Sequence, residues 1–246
     1  MLPWKTTKAI CLALLVLPLV HLAVLLSHDF VVMLDRSPEA WQDELEAYAE
    51  QDAERPLPAN PVLVTGGGPA WLWQGLSPQI APMPVLMRGL SGATLDDLQH
   101  HYRRIVGYYQ PRTLVVMPGI SEFHFRDDKS VAEFIESTKQ LEALDEIHRG
   151  EQRFYLVAPF KTLLFPGDDQ RIDNINAQLK AWATTDQRVT ILDVNPVLAG
   201  GPGRPDPFYF RPDGFNLNTE GYARLAQLLR AQLAHDYPGE LPLAGS

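Results

Sequence analysis

The stretch VLVTGGGPAW (residues 62–71) leads a short apolar run directly into three consecutive glycines. An apolar run of this length, bounded by turn residues, is typical of a strand buried on both faces. Consecutive glycines at its end are typical of a turn in which the backbone must approach another group closely. The stretch therefore predicts a glycine-rich turn from a strand into a helix.

Similar apolar runs recur along the chain after residue 60 and alternate with segments of helical periodicity. The predicted strands are residues 61–65, 84–88, 112–117, 153–158 and 188–193. Apolar residues at helical spacing predict the intervening helices, with stripes that begin at Leu95, Val131, Ile172 and Tyr222. Short apolar strands that alternate with helices predict a parallel sheet covered on both faces. The expected fold class is α/β, a three-layer α/β/α sandwich of flavodoxin-like topology, with ligands at the carboxyl ends of the strands.

Composition excludes some functions and limits others. The chain has 246 residues, a net charge of −9 and one cysteine, Cys11. A nucleic-acid partner is not expected, because a phosphate backbone requires a surface rich in Lys and Arg. A single cysteine permits no disulfide within the chain. No cofactor is predicted.

The N-terminus contains a long apolar segment, AICLALLVLPLVHLAVLL (residues 9–26). Lys5 and Lys8 precede it, and Asp29 and Asp35 follow it, which favours a cytoplasmic N-terminus and an exported domain. We expect an uncleaved, single-pass signal anchor; a cleaved signal peptide and a buried core helix are the alternatives. The chain would then divide into a cytoplasmic N-terminus (1–8), a transmembrane anchor (9–34), an acidic helix or linker (35–60), the α/β domain (61–235) and a C-terminal tail (236–246). In a bacterium the domain would be periplasmic or otherwise extracytoplasmic.

The acidic segment 35–60 contains eight acids and two arginines. Ser37 and Pro38 predict the start of a helix, and the sequence RPLP predicts its end. We expect this membrane-proximal helix to be a solvated spacer. The alternative is that its residues 38–54 dock a membrane partner.

Glycines between a strand and a helix suggest first a phosphate site at the helix N-terminus. The dinucleotide pattern G-x-G-x-x-G fails because Trp71 stands where the third glycine belongs, and no Gly-Lys-Ser/Thr of a phosphate-binding loop follows. A simple anion-binding nest remains possible in principle.

Four short sequence strings, here called blocks one to four in chain order, explain the glycines better than a phosphate site does. The strings TGGG, RGLSGAT and MPGISEF stand at the ends of three predicted strands, and RPDGFNLNTEGY precedes the last predicted helix. Over residues 60–235 their order resembles that of the SGNH, or GDSL-like, hydrolases. That resemblance implies a serine nucleophile in the first block, backbone and Asn donors to an oxyanion in the second and third, and an Asp–His pair in the last.

The chain departs from the family pattern at the residues that carry the chemistry. Gly68 stands at the nucleophile position, Gly92 keeps the glycine of the second block, and Ser121 replaces the oxyanion Asn. Asp213 is kept, whereas Asn216 replaces the His. Gly68 cannot form an acyl intermediate, and Asn216 cannot act as a general base. Loss of a nucleophile or its base costs about 10⁶ in rate in well-studied triads, so the resemblance implies a degenerate, inactive member.

A rebuilt site is the second hypothesis. Ser91 and Ser121 are the serines nearest the predicted crevice, and His124 lies three residues after Ser121. One of these hydroxyls with His124 could serve an active esterase or acyltransferase. No pair of residues at metal-ligand spacing stands out.

Aromatic residues near the crevice are candidates for ligand binding. Trp71 and Trp73 follow the glycines, while Phe210 and Phe215 flank the last block. Exposed aromatic rings can stack on sugar rings or accept acyl chains. The leading functional prediction is a binding or scaffolding component that handles acylated or glycan ligands, or binds an envelope protein, in the cell envelope. The alternatives are the rebuilt enzyme and an interaction module that acts through the acidic helix.

Overall fold

The structure is a computed structural model that describes residues 37–150 and 152–241, together with residues 3, 6, 8, 12 and 14–21. Residues 14–21 are helical. No helix among the described residues combines the length and apolarity needed to cross a bilayer. Most of the predicted anchor, residues 9–34, lies outside the described residues. The chain divides into two compact units, residues 1–40 and 41–246, and the second unit contains the α/β domain.

The second unit contains one five-stranded parallel sheet. Its strands are β1 (Val62–Gly66), β2 (Val85–Gly89), β3 (Thr113–Met117), β4 (Arg153–Val157) and β5 (Val189–Leu192), in the spatial order β2-β1-β3-β4-β5. Neighbouring strands pair in parallel throughout, so all five carboxyl ends lie at one edge of the sheet. A small antiparallel hairpin, β6 (Ala199–Gly201) and β7 (Arg204–Pro205), follows β5.

Eight α-helices are described in this unit. They are α1 (Gln42–Glu54), α2 (Gly68–Leu72), α3 (Leu76–Gln79), α4 (Leu95–His100), α5 (Tyr102–Ile105), α6 (Val131–Arg149), α7 (Asp169–Ala183) and α8 (Thr219–Asp236). Every residue of β1 and β3 is buried, so helices cover both faces of the sheet. On one face Val62 and Val64 pack with Leu225 and Leu229 of α8. Helices α4, α6 and α7 lie side by side, α4 against α6 and α6 against α7. The five-stranded parallel α/β prediction is confirmed.

The acidic segment before the sheet is packed on the domain, which corrects the expectation of a solvated spacer. Trp41 and Leu45 are buried, and Asp52 forms a buried ion pair with Arg88 of β2. The Tyr48 hydroxyl donates a hydrogen bond to the Gly89 carbonyl. Since β2 is an edge strand, α1 covers an edge that would otherwise be open.

The segment after α8, which the sequence analysis assigned to a C-terminal tail over 236–246, is packed on the domain up to residue 241. Leu241 is buried, and Arg112 donates two hydrogen bonds to the Glu240 carboxylate at 2.6 and 2.8 Å. Residues 242–246 lie outside the described residues.

Candidate functional site

The three glycines of the opening stretch form the turn between β1 and α2. Gly66 has a φ of +143°, and a Cβ there would lie 2.0 Å from the carbonyl oxygen of Met117. Gly67 donates a backbone hydrogen bond to the same oxygen, and a Cβ on Gly67 would lie 2.5 Å from the Ala93 carbonyl oxygen. Both positions therefore exclude any side chain, because the clashing atoms belong to the backbone.

Gly68, the first residue of α2, is different. A Cβ built there would meet no atom within 4 Å, so the position is open where a nucleophilic side chain would project. Its backbone N–H donates to no backbone acceptor among residues 37–150 and 152–241. First-turn N–H groups of a helix lack partners within the helix and are available to a ligand.

The second and third blocks meet at this turn. Gly92 has a φ of +75°, and a Cβ on it would lie 3.6 Å from Ser121 Oγ. A Cβ on Gly119 would lie 3.4 Å from the Gly68 nitrogen and 3.1 Å from Cδ of Pro69. Like that of Gly68, the Gly92 N–H has no backbone acceptor in the described part of the chain. The structure thus places Ser121 next to Gly92, and Gly119, at the start of the third block, next to Gly68.

Glu122 of the third block is hydrogen-bonded to the residue that follows the second block. It is completely buried, accepts a 2.6 Å hydrogen bond from the Leu95 N–H at the start of α4, and pairs with Lys129 at 2.6 Å. Burial raises the pKa of its carboxyl to about 7, although the Lys129 charge and the hydrogen bonds act to lower it. Glu122 therefore joins the third block to the start of α4 as a buried structural contact.

The last block keeps the local geometry of an acid and its partner. Asp213 accepts hydrogen bonds from the Asn216 backbone N–H at 2.9 Å and from its side-chain amide at 3.0 Å. Burial acts to raise the pKa of Asp213, but these hydrogen bonds outweigh it and the pKa is lowered. Farther along, the Tyr222 hydroxyl donates to the Pro69 carbonyl at 2.8 Å, which ties α8 to the glycine turn. Asp213 thus holds Asn216, whose side chain has no group that titrates near neutral pH.

The structure pairs His124 with a carboxylate that the sequence analysis did not identify. His124 Nε2 lies 2.6 Å from Asp168 Oδ2, and the imidazole stacks on Phe165 with ring centroids 3.9 Å apart. No hydrogen bond joins His124 to Ser91 or Ser121 in the described part of the chain. Asp168 precedes α7, 44 residues beyond His124, so no local spacing in the sequence could have indicated this pair.

The four aromatic candidates fall into two groups. Trp73 and Phe210 are buried in the core, where Trp73 stacks on Tyr222 at 5.6 Å, and this corrects their assignment as ligand-binding residues. Trp71 is 49% exposed beside the glycine turn. Phe215 is half-buried, and its ring centroid lies 6.4 Å from that of Phe125. Phe125 is exposed and was not among the aromatic candidates from the sequence.

Among the described residues no three His, Cys, Asp or Glu side chains are grouped to hold a metal ion.

Comparison with known proteins identifies the fold. No protein-family model matches the chain, and no curated protein matches it in sequence. Solved structures do match: a GDSL-like lipase from Bacteroides thetaiotaomicron has a TM-score of 0.67 and 18% identity, over 78% of this chain and 98% of the lipase. A lipase/acylhydrolase from Enterococcus faecalis has a TM-score of 0.59 and 16% identity, over 72% of this chain and 96% of that protein. An acetylxylan esterase from Geobacillus stearothermophilus has a TM-score of 0.57 and 16% identity, over 73% and 96% of the two chains.

Proposed function

We propose that this chain, which has the SGNH, or GDSL-like, hydrolase fold, binds an acylated ligand without cleaving it. In this proposal it is an inactive, membrane-anchored and exported domain, and it serves as a binding or scaffolding component where the cell envelope handles acyl groups or glycans. The observation that carries the proposal is the open position at Gly68, where the turn is kept and the nucleophile is missing.

The chemistry at this turn favours binding over hydrolysis. A covalent acyl intermediate needs a hydroxyl at residue 68, and a general base needs a titratable group at residue 216. Gly68 and Asn216 supply neither. In well-studied triads, enzymes that lack either group still accelerate the reaction by about 10³–10⁴-fold relative to water. This residual acceleration comes from substrate binding and the oxyanion donors.

The groups that would bind an oxygen atom are still present. The N–H groups of Gly68 and Gly92 have no backbone acceptor among the described residues, and each can donate to a carbonyl or carboxylate oxygen. The open space above Gly68 can hold the acyl carbon where a serine side chain would stand. An ester or acid group therefore fits this turn.

The class of ligand is proposed by analogy with the fold. Structures with this fold include a GDSL-like lipase and an acetylxylan esterase, and this supports an acylated lipid or glycan. Exposed Trp71 beside the turn supports contact with a sugar ring or an acyl chain.

A serine-reactive fluorophosphonate probe tests the proposal on the full chain in mild detergent. We expect no labelling of the natural protein. The triple variant Gly68→Ser, Ser121→Asn, Asn216→His restores the family residues at positions where the turn is preserved, and we expect it to be labelled. The matched variant Gly68→Ala, Ser121→Asn, Asn216→His should stay unlabelled.

Labelling of the natural protein would contradict the proposal and favour the rebuilt esterase or acyltransferase. Loss of that labelling in Ser121→Ala or Ser91→Ala, and in His124→Gln, would identify the relocated nucleophile and base.

The interaction module that acts through the acidic helix needs a different test from deletion. Because Trp41 and Leu45 are buried in the domain, removal of residues 38–54 would expose the core. Charge reversal of the exposed acids Glu50 and Glu54 leaves the packing intact. Loss of a co-purifying membrane protein in that variant would favour the interaction module.

A further inference from the structure

A cavity lies beyond the carboxyl end of β5, the edge strand at the opposite end of the sheet from β2. We call it the β5-edge cavity, with a volume of about 350 Å³. The polar residues that line it and matter to its chemistry are Lys161, Asp173, Asp193, Asn195 and Arg204. None of Gly68, Gly92, Ser121 and Asn216 lines it, and β3 and β4 lie between β1 and β5. The cavity is therefore separate from the glycine turn.

Two cations supply the chemistry of this cavity. The Lys161 side chain is 12% exposed, and its ammonium group lies 2.9 Å from the Asp173 carboxylate and 3.5 Å from the Gly203 carbonyl oxygen. Arg204 follows Gly203 in the β6–β7 hairpin and is exposed. Its guanidinium makes no hydrogen bond or ion pair to any described residue. Up to five donors of Arg204 are thus free, and the partly buried ammonium group of Lys161 lines the same cavity.

The acids of the cavity are already paired. Asp193 accepts from Lys180 at 2.5 Å and from the Asn195 N–H and side-chain amide at 3.0 and 2.9 Å. Asp173 is paired with Lys161. These contacts leave Arg204 as the uncompensated charge among the lining residues, in a chain whose net charge is −9. Asp206, two residues after Arg204, does not line the cavity and accepts a hydrogen bond from the Phe208 N–H at 3.0 Å.

The rest of the wall of the β5-edge cavity is apolar, and the volume of the cavity limits the size of a ligand. Pro196, Leu198 and Pro205 line the cavity together with backbone of the hairpin. Ligand pockets of about 300–1,000 Å³ hold small molecules, and this cavity is at the lower end of that range. A ligand that fits combines a negatively charged group with a small body about as large as one sugar ring.

We propose that the β5-edge cavity binds a small anionic molecule of monosaccharide size, with its carboxylate or phosphate held between Lys161 and Arg204. Asn195 and the apolar wall of Pro196, Leu198 and Pro205 would contact the uncharged part of the ligand. This site is independent of the proposed function of the glycine turn.

Isothermal titration of the full chain in mild detergent with four probes tests the proposal. The probes are glucuronate, glucose 6-phosphate, inorganic phosphate and uncharged glucose. We expect glucuronate or glucose 6-phosphate to bind with a Kd below about 1 mM, and glucose to show no binding in the same range. Tighter binding of the sugar phosphate than of inorganic phosphate supports a ligand with a sugar-sized body; equal binding of the two would contradict it.

Two variants tie the binding to this cavity. Arg204→Gln removes the free guanidinium from an exposed position and should weaken the anion by about tenfold or more, as should Lys161→Gln. Arg103→Gln, a change at an exposed arginine of α5, is the matched control and should leave binding unchanged. Unchanged thermal unfolding midpoints show that the variants are folded.

The proposal is overturned if neither glucuronate nor glucose 6-phosphate binds, if glucose binds as tightly as these two anions, or if Arg204→Gln leaves their affinity unaltered. None of these outcomes bears on the fluorophosphonate experiment, because Gly68 and Asn216 are intact in every variant used here.

Discussion

Each of the three consecutive glycines has a different structural reason. Gly66 and Gly67 are required by backbone atoms that lie 2.0 and 2.5 Å from where a Cβ would stand. Gly68 meets no such limit, because a Cβ there contacts nothing within 4 Å. A serine would therefore fit at residue 68, and the lack of one is not imposed by packing.

This contrast predicts opposite effects of alanine at adjacent residues. Gly68→Ala should leave the free energy of unfolding unchanged or raise it by up to about 1 kcal/mol, because alanine restricts the unfolded chain more than glycine does. Gly67→Ala should lower it by about 1–3 kcal/mol, because the Ala93 carbonyl must move. Urea unfolding of the full chain in mild detergent, followed by tryptophan fluorescence, measures both. Equal losses in the two variants would contradict the geometry of the turn.

Glu122 predicts a dependence of stability on pH. Its pKa is raised from the ordinary 4.5 to about 7 in the folded state, mainly by burial. The folded state then binds this proton more tightly than the unfolded chain, so the contribution of Glu122 to stability is greatest below pH 4.5 and is lost as the pH rises through 7. The full difference corresponds to roughly 3 kcal/mol.

Urea unfolding at several pH values between 4.5 and 8 tests this for the natural protein and for Glu122→Gln. The free energy of unfolding of Glu122→Gln should decline less over that window, because glutamine does not titrate. Glu133→Gln, at the exposed N-terminus of α6, is the control and should decline as steeply as the natural protein does. Parallel curves for the natural protein and Glu122→Gln would refute the role of burial.

Among the elements, α1 shows how an acidic helix can still belong to a core. Trp41, Leu45 and Tyr48 are spaced by four and three residues, which places them on one helical face toward the domain. The Trp41 indole donates to the Ser91 carbonyl at 2.7 Å, and its ring lies 4.2 Å from the Arg126 guanidinium. Trp41 therefore holds the second block in place through Ser91, the residue before Gly92.

Truncation of the Trp41 side chain should lower the stability of the domain strongly. Trp41→Ala should lower the free energy of unfolding by about 3–5 kcal/mol, because it leaves a cavity and an unpaired Ser91 carbonyl. Trp41→Phe keeps most of the packing and should lose only about 1 kcal/mol with the hydrogen bond. Glu50→Ala on the exposed face should change stability by less than about 0.5 kcal/mol. Urea unfolding ranks the three variants, and a loss in Trp41→Ala no larger than that in Glu50→Ala would mean that α1 is not held by the domain.

Helices and strands could be predicted where the local sequence has a clear pattern of apolar residues. All five strands lie within one residue of their predicted ends, because apolar runs between turn residues mark strands buried on both faces. The face of α1 was also present in the sequence, but the surrounding acids obscured it. The β6–β7 hairpin was missed, since Ala-Gly-Gly-Pro-Gly carries no alternation of apolar residues. The His124–Asp168 pair was missed because it joins two loops distant in the chain.

At the scale of the whole molecule, topology explains why the glycine turn is the candidate site. The order β2-β1-β3-β4-β5 reverses direction at β1, since the chain moves outward to β2 and then returns across β1 to β3. Ligands bind α/β sheets where the strand order reverses, outside the carboxyl ends. The turn after β1 and the blocks after β2 and β3 lie at that point. The identity of the fold was thus predictable from four short blocks, whereas the exposure of each aromatic residue depended on packing between distant loops.

The apolar N-terminal segment predicts how the whole chain is placed in a cell. Residues 9–34 are long enough to span a bilayer, with Lys5 and Lys8 before them and Asp29 and Asp35 after them. The full chain with a C-terminal epitope, produced in a bacterial host, should resist alkaline carbonate extraction from the membrane fraction. Added protease should remove the epitope from intact spheroplasts while a cytoplasmic marker survives. A variant without residues 1–34 should remain in the cytoplasm and be protected. A shortened chain that carbonate releases would instead favour a cleaved signal peptide, and protection of the epitope in the full chain would reverse the predicted orientation.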